Sequence, residues 1–254
     1  MSNESLYREA AAAYTFGGEI LSIAPYGGGH INDTYLVVCT GGEYVLQRIN
    51  GFVFPHPDEI MENMRGVTRS IAEKLAAQGR DPARGTLTVL QTKDGADFYV
   101  DSSGQYWRAT LNIRGATAFE SAVSPAMLEK SGAAFGAFQR MLADYPAETL
   151  HETIPHFHDT PARFHQLMEA AALDKAGRAQ TVAAELAFAR AREADCAVLT
   201  NLLEKGALPL RVTHNDTKMS NVLIDDRTGE AICVIDLDTV MPGLSAFDFG
   251  DSIR

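Results

Sequence analysis

The segment that most constrains the fold of this chain is a charged loop followed closely by an apolar hairpin. The loop is His214-Asn215-Asp216-Thr217-Lys218-Met219-Ser220-Asn221, an H-x-D-x-K-x-x-N pattern. Phosphoryl transfer requires a carboxylate that accepts a hydroxyl proton, and oxygen ligands that hold a metal ion against nucleotide phosphates. Asp216 can fill the first role, and Asn221 offers a metal-ligating oxygen a short reach away. The loop therefore predicts phosphoryl-transfer chemistry with Asp216 as the catalytic base.

The predicted hairpin, residues 221–224 and 231–237, leads to a second carboxylate in the sequence V-I-D-L-D. Asp236 stands at the end of its apolar strand and is predicted to be the metal ligand that completes the pair with Asn221, with Asp238 beside it. Lys218 is predicted to offset the charge on the transferring phosphoryl oxygens. His214 is expected to brace the loop rather than act as a base. The alternative, an ordinary polar turn, is disfavoured by the combination of loop and hairpin.

The string Asp248-Phe249-Gly250 matches the metal-binding D-F-G of protein kinases. Its spacing argues against that role, because Asp236 directly follows the hairpin whereas Asp248 comes later, beyond Pro242-Gly243. We therefore predict that Asp248 braces the catalytic loop.

A second signal is the glycine-rich segment Gly27-Gly28-Gly29, which lies between two β-rich runs. Glycines allow backbone N–H groups to approach phosphates closely, although hairpin turns are equally rich in glycine. The pattern is G-x-G-x-x-N, with Asn32 at a position where a left-handed backbone is accessible to Asn. Because no helix follows and no G-K-S/T occurs, Rossmann and Walker A sites are excluded. These residues are predicted to contact the nucleotide.

A cation for the nucleotide phosphates is expected on the third strand, 44–49, and this strand presents Arg48. Arginine can grip phosphate in a bidentate manner. An acid on the following helix should orient it, and Glu62 or Glu59 is the candidate. A solvated helix face explains either glutamate equally well.

The element pattern changes from β-rich to helical along the chain. After a short helix at about 5–14, strands are predicted at 19–26, 33–39, 44–49, 87–91, 98–100 and 106–113, with a helix from Pro57 to about Gln78 among them. From Pro125 onward, helices are predicted at 126–143, 161–173 and 179–205. This order predicts an α+β, two-lobed fold, with a β-rich nucleotide-binding lobe over 1–113 and a mostly helical lobe, carrying the catalytic loop and metal-binding hairpin, over 114–254.

Composition restricts the partners. The 254 residues carry a formal net charge of −11, which argues against a nucleic-acid partner because such a partner needs a clustered basic face. No apolar run approaches the length of a membrane span, and the N-terminus lacks a signal-peptide pattern. The three cysteines form no C-x-x-C pair, so a reducing cytoplasm is the expected location.

These motifs resemble those of the aminoglycoside phosphotransferase and choline kinase-like superfamily, with the protein-kinase-like fold. Within it the chain looks most similar to the N-acetylhexosamine 1-kinase group. The subgroup likeness rests on Y-G-G-G-H-I-N-D-T-Y at 26–35, Y-V-L-Q-R-I-N at 44–50 and I-P-H-F-H-D-T at 154–160. Members of the group continue past D-F-G-D-S-I-R with helices that help to form the sugar pocket, so the C-terminal lobe is expected to be incomplete at Arg254.

The resemblance implies transfer of the γ-phosphoryl group of ATP, with Mg²⁺, to the anomeric hydroxyl of an N-acetylhexosamine. It implies that the segment from Asn112 to Arg114 meets adenine, and we predict that His30 and Asp33 contact sugar hydroxyls. For these last two residues a capped turn is an equal alternative. Two other functions stay open: a kinase of the same fold acting on an aminoglycoside, choline, a methylthio-sugar or an amino alcohol, and a non-catalytic nucleotide-binding module.

Overall fold

The computed structural model of the protein describes residues 3–28 and 31–253, with the side chain of Asn3 excluded. Its contacts divide the chain into two compact units. The first contains the residues up to Thr153 together with those from Arg211 onward, and the second is Ile154–Leu210. The boundary between lobes at residue 113 remains a prediction.

The N-terminal half contains α1 (Asn3–Ala12), β1 (Ile20–Pro25), β2 (Asp33–Cys39), β3 (Gly42–Arg48), α2 (Pro57–Ala77), α3 (Pro82–Gly85), β4 (Val89–Leu90), β5 (Tyr99–Val100) and β6 (Tyr106–Leu111). Then follow β7 (Ala116–Ala118), α4 (Pro125–Met141), α5 (Thr160–Leu173), α6 (Ala183–Arg190), α7 (Glu193–Cys196) and α8 (Val198–Glu204). The last elements are β8 (Arg211–Thr213), β9 (Val222–Asp225), β10 (Ala231–Val234), β11 (Met241–Gly243) and α9 (Ser245–Ser252). Among residues 3–28 and 31–253, no helix is both long and apolar enough to cross a membrane.

The main sheet has the strand order β1-β2-β3-β6-β4, with β5 also paired to β6, and its neighbouring strands are antiparallel. One face of this sheet is apolar and packs against α1. Leu46 and Ala109 are directly opposed on β3 and β6, and both are fully buried in a cluster with Ala10 and Tyr14. Since side chains alternate between faces along a strand, this cluster fixes which residues of β3 and β6 point to the other face.

Helix α2 follows the sheet's first three strands and is amphipathic as predicted. Pro57 occupies its first turn, where the missing N–H costs nothing. The predicted apolar face is buried, and its members are Ile60, Met64, Val67, Ile71 and Leu75.

Two smaller sheets carry the functional loops. Strands β8 and β11 pair with each other, and β10, β9 and β7 form a separate antiparallel sheet. The predicted hairpin 221–237 is confirmed in β9 and β10. The catalytic loop therefore starts at the end of β8 and ends where β9 begins, so that two paired elements hold it at both ends.

The second unit is helical, but the single helix predicted over 179–205 is wrong. The structure has a short 3-10 turn (Ala179–Val182) and then α6, α7 and α8 as separate short helices. At the first interruption the guanidinium of Arg192 stacks on the Phe188 ring, 3.4 Å from its centroid, and donates to the Phe188 carbonyl. The backbone N–H of Arg192 bonds instead to Ala189. Because the Arg192 side chain donates to the carbonyl four residues earlier, the backbone N–H of Arg192 bonds three residues back, which gives the tighter turn seen here.

Candidate active site

The catalytic loop is held in place by the carboxylate of Asp248, on α9. Its two oxygens accept the backbone N–H groups of His214 at 3.0 Å and Asn215 at 2.8 Å, and Gln139 Nε2 also donates to it. Asp248 is only 3% exposed, so it satisfies buried donors that would otherwise lose water without compensation. The predicted bracing role of Asp248 is confirmed by these contacts.

His214 is fully buried and locks the loop to the hairpin. Its Nε2 lies 2.9 Å from the carbonyl oxygen of Ile235, and its Nδ1 is 3.3 Å from the backbone N–H of Asp216. This network assigns the proton to Nε2, with Nδ1 as the acceptor. Edge-to-face contacts with Phe135 and Phe138 enclose the ring. His214 is therefore a bracing residue, as predicted.

The carboxylate of Asp216 has donors on one of its two oxygens. Lys218 Nζ lies 2.8 Å from Oδ2, and Asn221 Nδ2 lies 3.0 Å from the same atom. Asn221 also donates to the backbone carbonyl of Asp216 at 2.8 Å, and its own side chain is buried. The Asp216 side chain is 26% exposed, so it is accessible to solvent while Lys218 and Asn221 hold its Oδ2. The structure thus brings together three residues that the loop pattern singled out.

Asp236 completes this group at the end of β10. Its backbone is left-handed, with φ of 61°, and the neighbouring Ile235 N–H donates to the Asn221 carbonyl at 2.9 Å. Its Oδ2 lies 4.0 Å from Lys218 Nζ, and its side chain is 43% exposed, so the carboxylate is accessible to a cation from solvent. Desolvation and the charge of Asp238 raise the pKa of Asp236, while Arg108 and Lys218 oppose the shift.

Lys218 stands between the two carboxylates. Partial desolvation lowers its pKa, but the hydrogen bond and charge of Asp216, with Asp236 and Glu120, outweigh this effect and raise the pKa above its usual value. Lys218 is therefore firmly cationic at the position where phosphoryl charge is expected to develop.

Asp238 is buried rather than open, and three groups hold it. Arg108 on β6 forms an ion pair with its Oδ1, and both side chains are almost fully buried. Asn32 Nδ2 donates to its Oδ2 at 2.6 Å, and Thr153 Oγ1 donates to its backbone carbonyl at 3.0 Å. Gln47 Oε1 accepts from Arg108 Nε at 3.0 Å. Sequence reasoning missed Arg108.

Arg48, which is predicted to be the cation for the nucleotide phosphates, lies on the face of the sheet opposite to that of Arg108. Because side chains alternate along β3, Arg48 lies on the same face of the sheet as Leu46, which faces α1. Gln47 points to the opposite face, where it contacts Arg108. Arg48 pairs instead with Asp33, its cross-strand neighbour on β2. Because Tyr44, Val45 and Leu46 are all apolar, the sequence of β3 carries no alternation that would have given this orientation.

Arg48 and Asp33 line a polar cavity of about 430 Å³ at the ends of β2, β3 and β6. Asp33, which is predicted to contact sugar hydroxyls, thus lies on the same face of the sheet as Arg48, and the sugar contact stays a prediction. Its proposed neighbour in that role, His30, lies outside the described residues.

Glu62 also occupies a different place from the one predicted. It lies 2.6 Å from His151 Nε2 and is largely exposed, whereas the Arg48 guanidinium is paired with Asp33. Its neighbour Asn63 is buried, donates to the carbonyls of His151 and Val240 and accepts the His151 N–H. An amide side chain on a predicted apolar helix face is the signal that could have identified Asn63.

The glycine-rich segment is described through Gly28, and Gly29 lies outside the described residues. Gly27 has φ of +75°, which an L side chain rarely adopts, and a Cβ there would meet no atom within 4 Å. At Gly28 a Cβ would lie 3.9 Å from Glu120 Oε1. The positive φ therefore favours glycine at position 27, while the space beside its Cα is open. Asn32, predicted to contact the nucleotide, binds Asp238 and accepts the Asn50 N–H instead.

The segment Asn112–Arg114 links β6 to β7. The side chains of Asn112 and Arg114 both bind the carboxylate of Glu43, at 2.9 Å and 2.6 Å, and the Asn112 N–H donates to the Glu43 carbonyl. The Arg114 carbonyl accepts from Arg84. These groups fix the link to β3 and α3; the predicted adenine contact stays a prediction.

The donor set of the site fits Mg²⁺. Because Asn221 uses its Nδ2 as a donor to Asp216, its Oδ1 remains the atom for a cation. The residue before Asp236 is held to the same segment by the hydrogen bond from the Ile235 N–H to the Asn221 backbone carbonyl. Mg²⁺ is usually held by one or two carboxylates together with substrate phosphates and water. Asp238 is committed to Arg108 and Asn32, which leaves Asp236 as the carboxylate for this role.

Known structures share this architecture. A spectinomycin phosphotransferase in complex with ADP and spectinomycin matches at 16% identity and a TM-score of 0.54, covering 92% of this chain and 68% of that chain. An aminoglycoside phosphotransferase from Alicyclobacillus acidocaldarius matches at 14% identity and a TM-score of 0.57, covering 100% of this chain and 71% of that one.

At these identities the similarity establishes the fold, and the predicted α+β protein-kinase-like fold is confirmed. The sequence itself gives the family, because a sequence model of the phosphotransferase enzyme family matches residues 22–254. The chain belongs to the phosphotransferase enzyme family.

Proposed function

We propose that this protein transfers the γ-phosphoryl group of ATP to the anomeric hydroxyl of an N-acetylhexosamine, giving the sugar 1-phosphate and ADP. The observation that carries the proposal is the arrangement around Asp216. Two donors bind its Oδ2, so Oδ1 is the oxygen that would accept the proton of an incoming hydroxyl. The exposure of this carboxylate leaves room for an acceptor to reach it.

The remaining groups divide the work of phosphoryl transfer. Mg²⁺ held by Asn221 and Asp236 would neutralise phosphate charge, and Lys218 adds a positive charge beside both carboxylates. Lys218 and Asn221 hold Asp216 in place, so that the proton acceptor is oriented before the acceptor molecule binds. The exposed backbone at Gly27 and Gly28 would offer its N–H groups to the nucleotide phosphates.

The acceptor is proposed from the sequence resemblance. The motifs at 26–35, 44–50 and 154–160 resemble those of N-acetylhexosamine 1-kinases. An anomeric hydroxyl is more acidic than an ordinary alcohol, so a single carboxylate is an adequate base for it. An aminoglycoside is the second candidate, because the two structures described above are named as phosphotransferases for such compounds.

An acceptor screen tests the proposal. ADP release would be followed with ATP and Mg²⁺ in the presence of N-acetylglucosamine, N-acetylgalactosamine, choline or kanamycin. Turnover of the N-acetylhexosamines alone supports the proposal, and turnover of kanamycin alone replaces it with the second candidate. If ATP binds and no acceptor raises ADP release above the background without acceptor, the proposal is wrong for this chain.

A further inference from the structure

The most deeply buried charge in the described part of the site region belongs to an ion pair that none of the roles above uses. Arg108 and Asp238 retain 2% and 3% of their side-chain exposure. Arg108 comes from the middle of β6, and Asp238 comes from the turn that follows Asp236. A buried ion pair is costly to form, and one documented use of such a pair is to fix a specific conformation.

That conformation is the turn carrying the proposed metal ligand. Asp236 holds a left-handed backbone without being glycine, which is an unfavourable state unless its surroundings enforce it. On one side the turn is fixed by the bonds of Ile235 to His214 and Asn221. On the other side it is fixed at Asp238, by Arg108 through the side chain and by Thr153 through the backbone.

We propose that Arg108 is a positioning residue for metal-assisted phosphoryl transfer: by anchoring Asp238 it holds Asp236 where its carboxylate can share a cation with Asn221. Arginine suits this role because its planar fork makes two directed contacts at once, with Gln47 through Nε and with Asp238 through a terminal nitrogen. Lysine carries the same charge but cannot make both contacts in fixed geometry.

The same carboxylate also connects the metal-binding turn to the end of the glycine-rich segment. Asn32 donates to Asp238 Oδ2, and its own Oδ1 accepts the backbone N–H of Asn50. Asp238 therefore joins β6, the segment after the glycines and the turn of Asp236 in one network. The geometry assigns to Asn32 a link between these segments rather than a direct phosphate contact.

The inference rests on the proposed function for its use of ATP and a divalent cation, but not on the acceptor. Its test is the gain in ATP affinity on adding Mn²⁺, measured by isothermal titration calorimetry with and without the metal. Two variants are compared with the wild type: Arg108→Lys, and Arg108→Met combined with Asp238→Asn. The double variant removes both charges, so that no unpaired charge stays buried. The thermal unfolding of each protein is measured first, and the titrations are made at a temperature below the unfolding midpoint of every variant.

We expect the ATP affinity of both variants to fall much more in the presence of Mn²⁺ than in its absence, so that the gain in affinity from Mn²⁺ is at least about tenfold smaller than in the wild type, equivalent to about 1.4 kcal/mol. The control is Arg65→Gln, which breaks an exposed arginine–aspartate pair between α2 and Asp97 and should leave the gain unchanged.

Full retention of the gain in the folded double variant would overturn the inference. So would an equal loss of affinity with and without metal, because that is the result of a merely structural role. A wild type that gains nothing from Mn²⁺ overturns it as well. A wild type that shows the gain but phosphorylates no acceptor leaves this inference standing and rejects the proposed function.

Discussion

The catalytic loop and the strand pair β3–β6 both contribute charges to the same site, yet different features of the sequence specify them. In the loop, Asp216, Lys218 and Asn221 contact one another within a few residues. In the strand pair, the relevant cation is Arg108, whose partner Asp238 lies more than a hundred residues away. A loop with fixed spacing can be recognised directly, whereas a cross-strand cation requires knowledge of register and face.

The largest expected effect concerns the loop. Asp216→Asn should lower the rate of phosphoryl transfer by about 10³-fold, or about 4 kcal/mol, because a general base contributes on that order. Since asparagine has the same shape, the unfolding temperature should stay close to that of the wild type. The control is Asp226→Asn, in the exposed turn of the hairpin, which should not change the rate. Equal rates of phosphoryl transfer in Asp216→Asn and wild type would show that Asp216 is not the catalytic base.

A second prediction separates the two acidic candidates for the metal. Asp248→Ala should destabilise the protein by about 2–4 kcal/mol, because each buried donor left unsatisfied costs about 1–3 kcal/mol. Chemical denaturation measures this loss. If Asp248 instead bound the metal as in protein kinases, the variant would keep its stability and lose the Mn²⁺-dependent gain in ATP affinity.

The sequence predicted those parts of the structure that depend on local spacing. The apolar face of α2, the hairpin after the loop and the bracing contacts of Asp248 follow from periodicity and motif. The breaks in the predicted helix at 179–205 did not follow from its apolar pattern; at the break between α6 and α7, Arg192 stacks on Phe188. The choice between Arg48 and Arg108 depends on pairing between distant strands, which no local pattern contains.

A third prediction tests how α2 is joined to the site. Asn63→Ala should lower stability by about 1–3 kcal/mol, because it removes hydrogen bonds to the backbone of His151 and Val240 in a buried position. Glu62→Ala, one residue earlier and largely exposed, is the matched control and should have a much smaller effect. A reversed order of the two effects would show that the helix acid, rather than Asn63, connects α2 to the rest of the unit.

The smallest effect is expected at Arg48. Arg48→Gln breaks a partly exposed pair with Asp33, so it should change stability by about 1 kcal/mol or less and leave the affinity for ATP unchanged. Calorimetric titration with ATP would check this result. A large loss of ATP affinity in Arg48→Gln would show that Arg48 binds the nucleotide phosphates. It would also show that Arg48, rather than Arg108, is the arginine that matters for the nucleotide site.

The most direct test of the central claim follows the phosphoryl group itself. The chain would be incubated with ATP labelled in its γ-phosphate, Mg²⁺ and N-acetylglucosamine or N-acetylgalactosamine, and the product examined for label on the sugar. We predict a labelled sugar phosphate that is released by mild acid, as an anomeric phosphate is, and its loss in Asp216→Asn. Label appearing only as inorganic phosphate, or reaching the sugar equally in the variant, would contradict the claim.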